Sequence, residues 1–120
     1  MAQILIVDDS ASMRNMVVTT LKSAGHQVVD APDGQAGLDK AKSGRFDAVV
    51  TDLNMPVMNG IELVKNLRNL SSYKYTPILL LTTESSMDKK AAGKEAGATG
   101  WLVKPFNPEK LISTVARVLS

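Results

Sequence analysis

The chain has 120 residues, 44% of them hydrophobic, with 14 basic against 12 acidic side chains, one histidine and no cysteine. That length suits one globular domain, 1–120, around a single core; the lack of cysteine excludes a disulfide framework or thiolate metal site, and a net charge of +2 is too slight to mark a nucleic-acid binder without a basic patch. The apolar runs are too short to cross a bilayer and Met1-Ala2-Gln3 begins no signal peptide. A soluble cytoplasmic protein that engages neither nucleic acid nor membrane is therefore expected.

Ile4 to Val7 is a continuous apolar run, the pattern of a strand covered on both faces, and it ends at Asp8-Asp9. Ser10 or Ser12 can cap a helix whose apolar positions Met13, Met16, Val17, Thr20, Leu21 and Ala24 recur at helical spacing until Gly25 ends it. His26, read as a solvated residue, opens a second strand over Gln27 to Ala31, and Pro32-Asp33-Gly34 turns into a short, weakly patterned helix with Gly37, Leu38 and Ala41. The third strand, Ala48 to Thr51, delivers Asp52 into a loop containing Asn54-Met55-Pro56. Ile61, Val64, Leu67 and Leu70 then mark one helical face.

Pro77 to Leu81 is another apolar strand, with Thr82-Thr83-Glu84-Ser85 as the polar edge it reaches. The helix from Met87 to Ala96 carries Gly93, which costs about 0.5–1 kcal/mol relative to Ala, and is expected to be the least stable. Its Lys89, Lys90 and Lys94 read as a solvated face or as attraction for an acidic partner segment. Trp101 to Val103 is a fifth strand running into Lys104-Pro105; Asn107-Pro108 caps a last helix with Leu111, Ile112, Val115, Val118 and Leu119 on one face.

Strands and helices thus alternate five times, favouring an α/β fold with a doubly wound five-stranded parallel sheet flanked by five helices. Right-handed crossovers place every strand's carboxyl end on one rim. Asp8, Asp9, Asp52, Thr82 and Lys104 each follow such a strand. There is no internal repeat or linker, and with the chain ending one residue after Leu119 no output segment is expected.

Carboxylates on one rim repel: unit charges about 4 Å apart interact by about 4 kcal/mol at an effective dielectric near 20. Oxygen-only ligands with no His or Cys nearby indicate Mg²⁺, and the three negative charges of Asp8, Asp9 and Asp52 would balance the three positive charges of Mg²⁺ and Lys104. With Asp52 attacking a phosphorus atom, metal and lysine would stabilise the transferring oxygens while the Thr82 hydroxyl donates to one of them, leaving an acyl phosphate. Taken singly, Lys104 reads as a surface lysine, Thr82 as a strand-end cap and Trp101 equally as packing or coupling; their joint placement carries the weight.

Over essentially the whole chain the pattern resembles the receiver domain of two-component response regulators, a flavodoxin-like fold. The resemblance rests on Asp8-Asp9, Asp52 with Asn54-Met55-Pro56, Gly60, Thr82 and Lys104-Pro105-Phe106. It implies that Asp52 accepts a phosphoryl group from a sensor histidine kinase; that Asp9, Asp52 and the Asn54 main-chain carbonyl ligate Mg²⁺, with Asp8 acting through water; and that Lys104-Pro105 is cis. Such a domain is a switch that catalyses only its own phosphorylation and dephosphorylation. The segments Asp8 to Arg14 and Gly100 to Phe106 point to the single-domain chemotaxis receivers, implying a monomer that docks on a flagellar motor switch protein through its fourth helix, fifth strand and fifth helix, with a phosphatase as a further partner.

Two positions depart from that pattern. Trp101 stands where many chemotaxis receivers carry a Tyr that swings inward with the switch Thr, and an indole is expected not to bury completely. Thr83 stands where Ala is frequent, narrowing the approach to Asp52. A phosphorelay or phosphate-sink receiver is the alternative. A haloacid-dehalogenase-type phosphatase fits less well, because Asn54 occupies the position of its second Asp. In an FMN-binding flavodoxin, Asp8-Asp9 would repel the phosphate.

Overall fold

The computed structural model describes residues 2–83, 87–104 and 107–120. The elements are β1 (Gln3–Val7), α1 (Ala11–Ser23), β2 (Gln27–Ala31), α2 (Gly34–Ser43), β3 (Ala48–Asp52), α3 (Gly60–Arg68), β4 (Ile78–Thr82), α4 (Met87–Ala96), β5 (Gly100–Val103) and α5 (Pro108–Leu119), with a 3-10 turn at Ser71–Tyr73. The five strands form one sheet in the order β2-β1-β3-β4-β5, every pair parallel. The chain moves outward from β1 to β2 and returns past β1 to β3, so the strand order reverses between β1 and β3. A crevice outside the carboxyl ends at such a reversal is where open α/β sheets bind their ligands.

Alternation along each strand sends side chains to opposite sides of the sheet. Ile4, Ile6, Val50, Leu79 and Leu81 pack with Val17 and Leu21 of α1 and Leu111 and Val115 of α5. Leu5, Val7, Val49 and Leu80 pack with Leu38 of α2 and Leu63, Val64 and Leu67 of α3. The sheet therefore divides the single core expected from chain length into two. Ile4–Val7 and all of β3 and β4 are buried, as their continuous apolar runs require, whereas β2 and β5 are partly exposed edges.

Helix ends follow local side-chain chemistry. Ser10, not Ser12, caps α1 by accepting the Met13 amide. Met16 is 55% exposed and Ala24 is exposed, so the apolar stripe of α1 is narrower than its spacing predicts. Gly25, at φ +93°, supplies the left-handed residue just after the helix. Asp33 caps α2, Asn107 caps α5 with Pro108 in its first turn, and Asn59 and Glu62 form a reciprocal capping box on α3. Because α3 ends at Arg68, Leu70 lies outside it. His26 is half-buried, and its Nδ1 accepts the Ala2 amide at 3.2 Å.

Helix α4 keeps the limits its sequence predicts, and the glycine that weakens it has a packing reason. A Cβ on Gly93 would lie 2.7 Å from Leu80 Cδ1 and 3.3 Å from the Trp101 ring, so only glycine lets α4 approach the sheet this closely. The cis bond expected at Pro105 falls outside the described residues. No helix among them is long and apolar enough to cross a membrane.

Candidate phosphorylation site

The rim at the carboxyl ends of β1, β3 and β5 brings the expected charges together. Oxygens of Asp8, Asp9 and Asp52 lie within 4.8 Å of one another. Lys104 Nζ stands 3.3 Å from Asp8 Oδ2 and 3.4 Å from Asp52 Oδ1, joining two carboxylates delivered by different strands. Asp8 is 2% and Asp52 8% exposed, while Asp9 and Asn54 face solvent. The second oxygen of Asp8 accepts the Ser10 amide at 2.9 Å, and Asp52 Oδ1 accepts the Leu53 amide at 2.9 Å. Both side chains are thus held in place before any ligand arrives.

Thr82 is fully buried as the last residue of β4, one position further inside the strand than its sequence suggests. Its carbonyl accepts the Lys104 amide at 2.7 Å, tying the ends of β4 and β5. Leu81 pairs with Asp52 and Leu80 with Trp101. Thr82, Leu80 and Trp101 therefore share one face of the sheet. The Trp101 indole is half-buried, as its bulk predicts, and its N–H is buried without an acceptor among the described residues. Lys90 and Lys94 of α4 line a groove of about 310 Å³ beside it.

The loop after Asp52 is shaped by glycine and by strain. A Cβ on Gly60 would fall 2.3 Å from the Asp52 carbonyl oxygen, and the Gly60 amide donates to Leu53 O at 2.8 Å, so α3 begins directly against the end of β3. Between them, Met58 N donates to Pro56 O at 2.8 Å across Val57, whose φ is +70°. This is a γ-turn with a β-branched residue in the left-handed region, a conformation costing about 1–3 kcal/mol. Sequence reading missed it, since Val carries no signal for positive φ.

Burial raises the Asp52 pKa above its ordinary 3.8; the positive charge of Lys104 opposes that shift, while Asp8 adds to it. Three carboxylates share one ammonium, so negative charge is left over, and every donor is a hard oxygen. That donor set fits a divalent cation such as Mg²⁺.

A second basic residue organises the fold without entering the site. Arg68 donates to the carbonyls of Tyr73 and Thr76, each at 2.7 Å, and through Nη2 to that of Gly97 at 2.8 Å. It fastens the end of α3 to the turn before β4 and to the exit of α4. Bonds from a side chain to distant carbonyls leave no spacing pattern, so nothing in the sequence marks this arginine.

A family model described as the response regulator receiver domain matches residues 4–116. The chain belongs to that family, the receiver domains of two-component response regulators. Within it, the chain is 42% identical over 110 residues to the chemotaxis protein CheY-3 of Vibrio cholerae, covering 91% of this chain and 85% of that protein. The solved structure of V. cholerae chemotaxis protein CheY4 superposes with a TM-score of 0.95 at 58% identity, covering 98% of each chain. A receiver domain of a Pseudomonas aeruginosa sensor histidine kinase, with magnesium coordinated in its active-site cleft, matches at TM-score 0.92 and 26% identity over 98% of this chain and 97% of that one. The fold is CheY-like, as expected, and receivers of this kind are switches rather than enzymes acting on an outside substrate.

Proposed function

We propose that Asp52 accepts a phosphoryl group from the phosphohistidine of a sensor kinase and that the modified protein signals to a downstream partner. The observation carrying this reading is the bridge from Lys104 to both Asp8 and Asp52 within a three-carboxylate cluster. Asp52 Oδ1 is engaged by Leu53 N and Lys104, which turns Oδ2 to the attack. As the new O–P bond forms, the donor N–P bond breaks and its electron pair stays on the imidazole nitrogen. Lys104 offsets negative charge on the phosphoryl oxygens, and the Thr82 hydroxyl donates to one of them.

Asp9, Asp52 and the Asn54 main-chain carbonyl would hold Mg²⁺, with Asp8, already committed to Lys104 and Ser10, acting through water. The metal supplies charge neutralisation to the transferring phosphoryl group. The magnesium held by the related P. aeruginosa receiver supports this assignment.

Phosphorylation draws Thr82 inward and re-poses α4 and Trp101, biasing an existing two-state equilibrium. The surface of α4, β5 and α5 meets the partner. Similarity to chemotaxis receivers favours a flagellar motor switch protein and a cytoplasmic monomer, with a phosphatase shortening the signal. A phosphorelay or phosphate-sink role uses the same site and differs only in the partner.

Incubation with acetyl phosphate and Mg²⁺ tests the chemistry. About one phosphoryl group per chain is expected, released by alkali and by hydroxylamine as an acyl phosphate is, with no sustained hydrolysis of phosphomonoesters. Sustained phosphomonoester turnover would instead make the protein a phosphatase.

A further inference from the structure

Arg14 sits in the first turn of α1, four residues after the Ser10 cap. A cation there opposes the helix dipole, at a cost of about 0.3–1 kcal/mol, so its placement needs a compensating contact. Its Nε donates to Asp30 Oδ2 on β2 at 2.7 Å, and its Nη1 donates to the main-chain carbonyl of Asp8 at 2.8 Å. The Arg14 side chain is 18% exposed. Asp30 is itself restrained, since its main-chain carbonyl accepts Lys40 Nζ from α2.

The Asp8 carbonyl belongs to the peptide that joins Asp8 to Asp9. The β1 pairing ends at Val7 in both directions, so Arg14 grips the chain one residue beyond the last paired position. Asp8 is otherwise fixed through its amide, which donates to the Ala31 carbonyl of β2 at 3.2 Å, and through its side chain by Ser10 and Lys104, so of its backbone groups the carbonyl is the one left to Arg14. Asp9 is solvent-exposed, and the orientation of the preceding peptide decides whether its carboxylate reaches Asp8 and Asp52.

We propose that Arg14 is a positioning residue for the cation site: its guanidinium, aimed by Asp30, locks the Asp8–Asp9 peptide so that Asp9 joins Asp8 and Asp52 as a ligand. The proposal rests on the Mg²⁺ reading of that cluster given above. It makes a prediction opposite in sign to simple electrostatics. Removing a nearby positive charge strengthens attraction for a divalent cation, whereas unlocking the ligand loop weakens it.

The test is an NMR titration of the ¹⁵N-labelled full chain with MgCl₂, following the Asp9 and Ser10 amides in wild type, Arg14→Met and Arg14→Lys, with circular dichroism melts confirming that each variant is folded at the working temperature. Wild type is expected to saturate, and both variants to bind about tenfold more weakly. Arg14→Lys retains the charge and most of the stem but cannot reach Asp30 and the Asp8 carbonyl together, and it decides alone should Arg14→Met fail to fold. Unchanged or tighter binding by Arg14→Met, or wild-type binding by Arg14→Lys, overturns the positioning role. Absence of saturable binding by wild type overturns the Mg²⁺ reading itself, and this proposal with it.

Discussion

Asp52 sits under two opposed influences. Burial and the neighbouring Asp8 disfavour its ionised form, and Lys104 favours it, with burial winning. Its folded pKa is raised, so its contribution to stability is fully present below the ordinary 3.8 and is lost as pH rises through the folded value. In EDTA at pH 7, Asp52→Asn is therefore expected to melt at a higher temperature than wild type, and the gap should narrow as pH is lowered toward 3.8. Melting curves across that range check the sign; a variant less stable than wild type at pH 7 would show that the ionised carboxylate is net stabilising. Arg68 shows the opposite solution to burying charge. Burial lowers its pKa, but main-chain carbonyls satisfy the guanidinium where no carboxylate among the described residues does.

At the scale of elements, strand positions were legible because continuous apolar runs report burial on both faces, and β1, β3 and β4 are the strands buried that way. The site's charged residues were legible because each stands where an apolar run stops, the aspartates at the ends of the buried β1 and β3 and Lys104 after the partly exposed β5. The limits of helix faces were less so: Met16 and Leu70 match the 3.6-residue period, yet one faces solvent and the other follows the end of α3. The capping box was available as Asn59 followed three residues later by Glu62. Arg14, Arg68 and the Val57 turn were not, because their roles arise from contacts or backbone angles that residue type does not encode. Gly60→Ala would drive a methyl group into the Asp52 carbonyl, which as backbone cannot rotate aside. The variant should lose about 2–3 kcal/mol in urea unfolding, with slower phosphoryl labelling because Asp52 is displaced. Wild-type stability and labelling would show that α3 can retreat without disturbing the site.

Across the whole molecule, one sheet does the assembling. Residues separated by 96 positions, Asp8 and Lys104, meet because parallel strands place all their carboxyl ends on one rim. The reversal of strand order between β1 and β3 opens the crevice there, and β4 and β5 carry Thr82 and Trp101 toward the face that α4 covers. The candidate phosphorylation site and the proposed output face thus occupy adjacent strands, with Gly93 letting α4 rest on Leu80 and Trp101. The proposed phosphorylation requires Asp52 to be the nucleophile. Intact-mass spectrometry of wild type and Asp52→Asn after incubation with acetyl phosphate, in Mg²⁺ or in EDTA, tests it most directly. Wild type in Mg²⁺ should gain one phosphoryl group, while Asp52→Asn, and wild type in EDTA, should gain none. The same gain in Asp52→Asn at the wild-type rate would contradict it.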